Sequence, residues 1–237
     1  MDMAAHRILA AGVAAALLAA PLAASANPLK VVSIDGAAEA CVFNTQCHVT
    51  VSDTTAPIAI QLIATPGTTW LQSRTYVGGA GSPGAGKTAY EYRVSFTQAA
   101  GVGCVDGMVL NFGQIAQLPY KNGQLADVYV ITTGGVGTVG IASADQTGDV
   151  IQFQFSKQLC VSPAPDQTAT TFFFGMAATQ SPMLVSAQLY GPGEPPIYAV
   201  GARAPNHALP PVGGDPPAPP PGPKPPAPPK GLKVLIN

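Results

Sequence analysis

The residues that first suggest chemistry are 81–88, GSPGAGKT, which satisfy the G-x-x-x-x-G-K-[ST] pattern of a phosphate-cradling loop. Such a loop leaves a buried parallel strand, wraps backbone N–H groups around phosphates and runs into a helix whose N-terminus faces the negative charge. Here the residues after Thr88 read AYEYRVSF, a strand pattern rather than a helical one. No alternation of strands with long helices supplies the parallel sheet, and no apolar strand ends in a magnesium-holding aspartate. Five glycines between Gly78 and Gly86, with Pro83 among them, predict a flexible connection between two strands. Neither a nucleotide nor any other cofactor is expected.

Hydrolytic chemistry has few parts to work with. A Ser–His–Asp arrangement needs a histidine held between nucleophile and carboxylate. Beyond the N-terminal leader described below there are His48 and His207. His207 stands at the mouth of a proline-rich stretch, and His48 falls on the outward phase of a predicted strand if Val49 and Val51 point inward. A glycosidase-like pair of carboxylates must face one cleft from neighbouring strands. Glu91 is mid-strand on a phase expected to meet solvent, while Glu39 and Glu194 lie in loop-like sequence, so nothing marks two of them as partners. No catalytic residue is assigned on this reading.

The run ADQTGDV, with Asp145 and Asp149 around Thr147-Gly148, offers oxygens to calcium but reads first as a hairpin turn between two strands. Four cysteines, Cys41, Cys47, Cys104 and Cys160, form an even set that implies two disulfides in an oxidising compartment. Cys41 with Cys47 and Cys104 with Cys160 is the expected pairing, because the first two share a short segment and the others sit in separate strand-like runs. Chain entropy gives the long loop about 4 kcal/mol and the short one about 2. A zinc site built from these cysteines, with or without His48, lacks paired C-x-x-C spacing. No metal ligand is assigned.

Aromatic side chains offer a route to recognition. Trp70, Tyr76, Tyr90, Tyr92, Tyr120, Tyr129 and Phe172 to Phe174 fall largely in strand-like runs, where a row on one exposed face could stack on sugar rings or prolines. Three consecutive phenylalanines cannot all face one core, because alternate side chains in a strand point to opposite faces. Burial on both sides of a central strand is expected for them.

The elements that must position these residues are strands. TAYEYRVSF (88–96) and VIQFQFS (150–156) alternate apolar and polar residues with period two. Further strands are expected at 29–34, 46–51, 58–64, 69–77, 108–112, 127–133, 138–143, 170–177, 183–190 and 197–202. No amphipathic helix of three turns is visible. The fold class predicted is all-β: an antiparallel β-sandwich, Ig-like or jelly-roll-like, of about ten strands spanning residues 27–204. Residues 1–26 have the layout of a cleaved signal peptide, one fixed positive charge at Arg7, a run of small apolar residues and an A-x-A site before Asn27. After cleavage no stretch is apolar for long enough to be a transmembrane segment. Residues 205–230 are so rich in proline that they read as a disordered polyproline II spacer, reaching on the order of 80 Å when extended. The chain ends in a short apolar segment, 231–237, whose Leu232-Lys233-Val234 repeats Leu29-Lys30-Val31.

Charged residues make up 10% of the chain and the formal net charge is −1. No basic patch is present to hold nucleic acid, and no acidic block points to a cationic partner. The function expected is that of an exported, non-catalytic module, secreted or periplasmic, acting as a structural, cell-surface or ligand-binding protein, with a glycan or protein surface as partner. The rival expectations are an extracytoplasmic carbohydrate-active enzyme using a carboxylate pair, and an assembly subunit joined by strand addition through the terminal run.

Overall fold

The computed structural model describes residues 26–58, 69–97, 103–161, 170–191 and 197–207. The leader, the proline-rich stretch beyond 207, the terminal run 231–237, residues 59–64 of one expected strand and Glu194 lie outside the described residues.

The described chain is nearly all strand. In order, β1 (Asn27–Pro28) and β2 (Val31–Asp35) lead into the helix α1 (Gly36–Phe43), followed by β3 (Ser52–Pro57), β4 (Trp70–Val77), β5 (Thr88–Ser95), β6 (Cys104–Asn111), β7 (Leu118–Lys121) and β8 (Gln124–Ala126). The second half supplies β9 (Val128–Thr133), β10 (Ile141–Thr147), β11 (Val150–Cys160), β12 (Phe173–Ala178), β13 (Pro182–Tyr190) and β14 (Ile197–Pro205). Twelve of these form two six-stranded sheets, β1-β10-β11-β6-β13-β14 and β2-β9-β12-β5-β4-β3, while β7 and β8 make a hairpin. One main core joins the two sheets: Tyr90, Tyr92, Val94 and Phe174 from the second meet Met108, Leu110, Phe153 and Leu189 from the first. The rings of Phe153 and Phe174 lie 5.1 Å apart across it. The buried hydroxyls of Tyr90 and Tyr92 donate to the carbonyls of Gln180 (2.8 Å) and Arg203 (2.6 Å), which removes the cost of taking them out of water.

Four expectations need correction. The sandwich is not wholly antiparallel, because β2 runs parallel to β9. The stretch 46–51 is a loop, and the strand there is displaced to β3, whose polar SDTTAP carries no strand pattern yet pairs along its length with β4. The single helix α1 occupies sequence read as loop. Its N-cap is Asp35, whose carboxylate accepts from the N–H groups of Ala37 (2.9 Å) and Ala38 (3.4 Å). Finally, β5 is not half-buried: seven of its eight residues are buried, on both faces.

That last correction follows from a second, smaller core on the far side of the second sheet. Phe43 and Val42 of α1, together with Leu118, Tyr120 and Ala126 of the hairpin, cover Tyr76, Ala89, Tyr129, Phe173 and Ala177. The second sheet is therefore a middle layer. Apolar alternation on a central strand hides a polar phase that is also enclosed.

The disulfides are Cys41–Cys47 and Cys104–Cys160, as the spacing predicts. Cys104 and Cys160 are register partners on β6 and β11. Among the described residues no helix is long and apolar enough to cross a membrane.

Candidate ligand-binding groove

The loop 78–87 connects β4 to β5, and the chain leaves Lys87 into a strand rather than a helix. Six of its amides are spent locally or on α1, among them Gly78 N–H, which donates to the Lys87 carbonyl (2.8 Å), Gly79 N–H to Phe43 (2.7 Å) and Gly84 N–H to Val42 (2.8 Å). A Cβ on Gly84 would stand 2.6 Å from the Phe43 ring. The glycines thus admit the end of α1 into close contact, a structural role that accounts for the composition.

The other candidates separate. His48 is exposed in the 44–51 loop. His207 is held more firmly than its place beside the prolines suggests, with Nε2 2.8 Å from Asn111 Oδ1 and Nδ1 2.6 Å from the Pro205 carbonyl. Asp145 pairs with Gln152 in the β10/β11 ladder, and Asp149 lies in the turn that joins those strands, where its carbonyl accepts from Phe112 and Gly113. Among the described residues no group of three His, Cys, Asp or Glu side chains gathers around a common point.

Two carboxylates that looked unrelated do converge. On the enclosed face of the second sheet, strand registry aligns Asp53, Arg74, Glu91, Gly175 and Tyr129 in one row across β3, β4, β5, β12 and β9. Glu39 is delivered onto this row by α1. Tyr76, two residues beyond Arg74 and so on the same face, stands between the acids: its hydroxyl is bonded to Glu39 Oε1 and lies 2.8 Å from Glu91 Oε1. Tyr129 donates to Glu91 Oε1 from 3.2 Å.

A phenol has one hydrogen. If Tyr76 gives it to Glu91, the contact with Glu39 must carry a proton belonging to Glu39. Electrostatics place it there. Glu39 is 3% exposed and its pKa is pushed up to about 8, first by burial and then by the charge of Glu91. Burial also raises Glu91, opposed by the Tyr76 hydrogen bond and by Arg74, whose Nη1 is 3.8 Å from Glu91 Oε2. Both carboxyls are therefore pushed toward the protonated form, and Arg74 favours any negative charge of the pair on Glu91.

Arg74 grips Asp53 with two parallel bonds, Nε to Oδ1 (2.9 Å) and Nη2 to Oδ2 (3.2 Å), and this holds Asp53 below the usual carboxylate range. Its guanidinium also lies 4.4 Å from the Phe173 ring centre. Arg93 packs against two rings, Trp70 at 4.8 Å and Phe173 at 4.9 Å. Of the three phenylalanines, Phe174 enters the main core, Phe172 packs at its margin and Phe173 is buried on the opposite face, in the second core beneath the arginines. These aromatics form no exposed row, because Tyr90, Tyr92 and Phe174 face the main core while Tyr76, Tyr120 and Tyr129 are enclosed in the second.

Above these residues lies a groove of about 530 Å³ with Glu39, Tyr76, Glu91, Arg74 and Arg93 in its floor. Val51 and Val136 stand at its rim, 37% and 51% exposed. Sequence reasoning noticed Glu91 but missed Arg74, Arg93 and Gln72. The available signal was that all of them share the phase of Tyr76 or Glu91 on adjacent strands. Comparison of the chain with protein-family models, with characterised proteins and with solved structures finds no match.

Proposed function

We propose that the chain is an exported, non-catalytic β-sandwich that binds a small polar ligand in the groove over the outer face of its second sheet. Export is supported by the leader-like N-terminus and by two disulfides in a chain without free cysteines among its described residues. The observation that carries the binding reading is the groove: its volume of about 530 Å³ is in the range of small-molecule sites, and charged groups on its floor lie under an apolar rim.

The position of Tyr76 argues against catalysis. A retaining glycosidase keeps its carboxyls about 5 Å apart so that the reacting carbon and its leaving oxygen fit between them. Here the phenol oxygen already fills that gap, and Glu39 and Glu91 are 3% and 1% exposed. The convergence of the two acids nevertheless favours a carboxylate-pair enzyme as the second reading. Incubation of the full chain with a panel of neutral and acidic polysaccharides separates the two. The binding reading expects no new reducing ends and a saturable ligand response that Val136→Phe weakens by crowding the rim. Reducing ends released by the natural chain and lost in Glu91→Gln would establish the enzyme instead.

A further inference from the structure

We propose that the groove takes a hydroxylated carboxylate, the chemistry of a sugar acid or a small hydroxy acid, with Arg93 meeting the carboxylate. This rests on the binding reading above and names its ligand class. Of the two arginines in the floor, Arg74 is committed to Asp53 and faces Glu91. Among the described residues Arg93 has no carboxylate within ion-pair distance, and its Nε has no hydrogen-bond partner. A guanidinium partly out of water, beside a second cation and with only the more distant charge of Asp53 to offset it, is costly to keep charged. Burial, and then the charge of Arg74, push its pKa down. An anion entering the groove removes that cost.

The geometry selects the kind of anion. Trp70 and Phe173 hold the guanidinium by ring contacts that use none of its N–H donors. A fixed planar fork of donors matches the two oxygens of a carboxylate. Gln72 is the register partner of Arg93 on β4, and its Oε1 has no hydrogen-bond partner among the described residues. Cross-strand neighbours stand about 5 Å apart at Cβ. Arg93 Nε and Gln72 Oε1 are both enclosed, so the carboxylate meets the outer donors of the guanidinium, and the Gln72 oxygen suits a hydroxyl carried near it once that side chain turns into the groove; the rim valines suit the carbon skeleton between them.

Trp70 is the sole tryptophan and reports on Arg93 directly. The test is to titrate the full chain with galacturonate, lactate and galactose while following its fluorescence. A carboxylate ligand is expected to bind at least about tenfold more tightly than galactose, and Arg93→Gln to weaken it by about 10- to 100-fold while leaving galactose unchanged. Galacturonate alone binding identifies a sugar acid; lactate binding equally well identifies a small hydroxy acid. Galactose binding as tightly as galacturonate, no response to either carboxylate, or unaltered affinity in Arg93→Gln overturns the inference. Should Arg93→Gln not fold, salt decides: galacturonate affinity that does not fall between low and high ionic strength has the same consequence. If ligands bind but Val136→Phe does not weaken them, the groove reading itself fails, whereas galactose binding that Val136→Phe blocks leaves that reading standing without the carboxylate.

Discussion

Glu39 is expected to cost the folded chain on the order of 4 to 5 kcal/mol of stability as pH rises from about 4.5 to about 8, and Glu39→Gln to remove that part of the slope. The sign follows from where the proton sits. Unfolded, Glu39 titrates near its usual 4.5; folded, it keeps its proton to about 8. Below the lower value both states are protonated and the contribution is fully present. Between the two values the unfolded state releases a proton that the folded state retains, which costs about 1.4 kcal/mol per pH unit. Above the upper value the loss is complete. Glu91 is raised as well and adds to the same trend.

The other groups around Glu39 do not obscure this. Tyr76, Tyr120 and Tyr129 are pushed well above 10 by burial and stay neutral throughout, and Arg74 stays charged. Asp53 is held low by Arg74, so its opposite effect appears only at more acidic pH. Glutamine at position 39 is neutral at every pH and can still bond Tyr76. The variant should therefore gain on the natural chain steadily as pH rises and exceed it at pH 8. Urea unfolding at three pH values across the window measures this; parallel curves for the two proteins would mean that Glu39 does not retain its proton in the fold.

How much of this was legible before the fold was known depends on whether the signal was local. The alternation in TAYEYRVSF and VIQFQFS placed β5 and β11, and cysteine spacing placed both disulfides, because each feature is written within one short segment. The helix α1 was invisible: eight residues, three of them alanine and without an amphipathic stripe, depend on Asp35 at one end and on packing of Phe43 at the other. Strand β3 was invisible because its residues are polar and exposed, and only registry with β4 makes it a strand. The phase of Glu91 was read correctly and its environment was not. What covers that face arrives from a helix about fifty positions earlier and a hairpin about thirty positions later, and no period in β5 records either. The polar phase of a strand announces solvent only when the sheet has no third layer.

Gly175→Ala should destabilise the fold by about 3 kcal/mol or more, the upper end of what an added methyl costs in a packed interior. The usual expectation has the opposite sign, since replacing glycine inside a strand restricts the unfolded chain and supplies packing surface, a gain of roughly 0.5–1 kcal/mol. Gly175 sits between Glu91 and Tyr129 in the cross-strand row. A Cβ there would stand 2.3 Å from the Tyr90 carbonyl oxygen and 2.9 Å from the end of the Tyr129 ring. The carbonyl belongs to the neighbouring strand and cannot swing aside, so β12 must part from β5. The ring must also lift, and its lifting removes the hydrogen bond to Glu91. Tyr129→Phe separates the two effects: it keeps the ring, removes only the hydroxyl's bonds to Glu91 and to the Tyr76 hydroxyl, and should cost about 1 to 2 kcal/mol. Most of the alanine penalty therefore belongs to the backbone, and it should persist at pH 4.5, where Glu39 carries its proton. An alanine variant as stable as the natural chain would mean that Tyr129 does not cross β12 to reach the acid pair, and that the row beneath the groove is built differently.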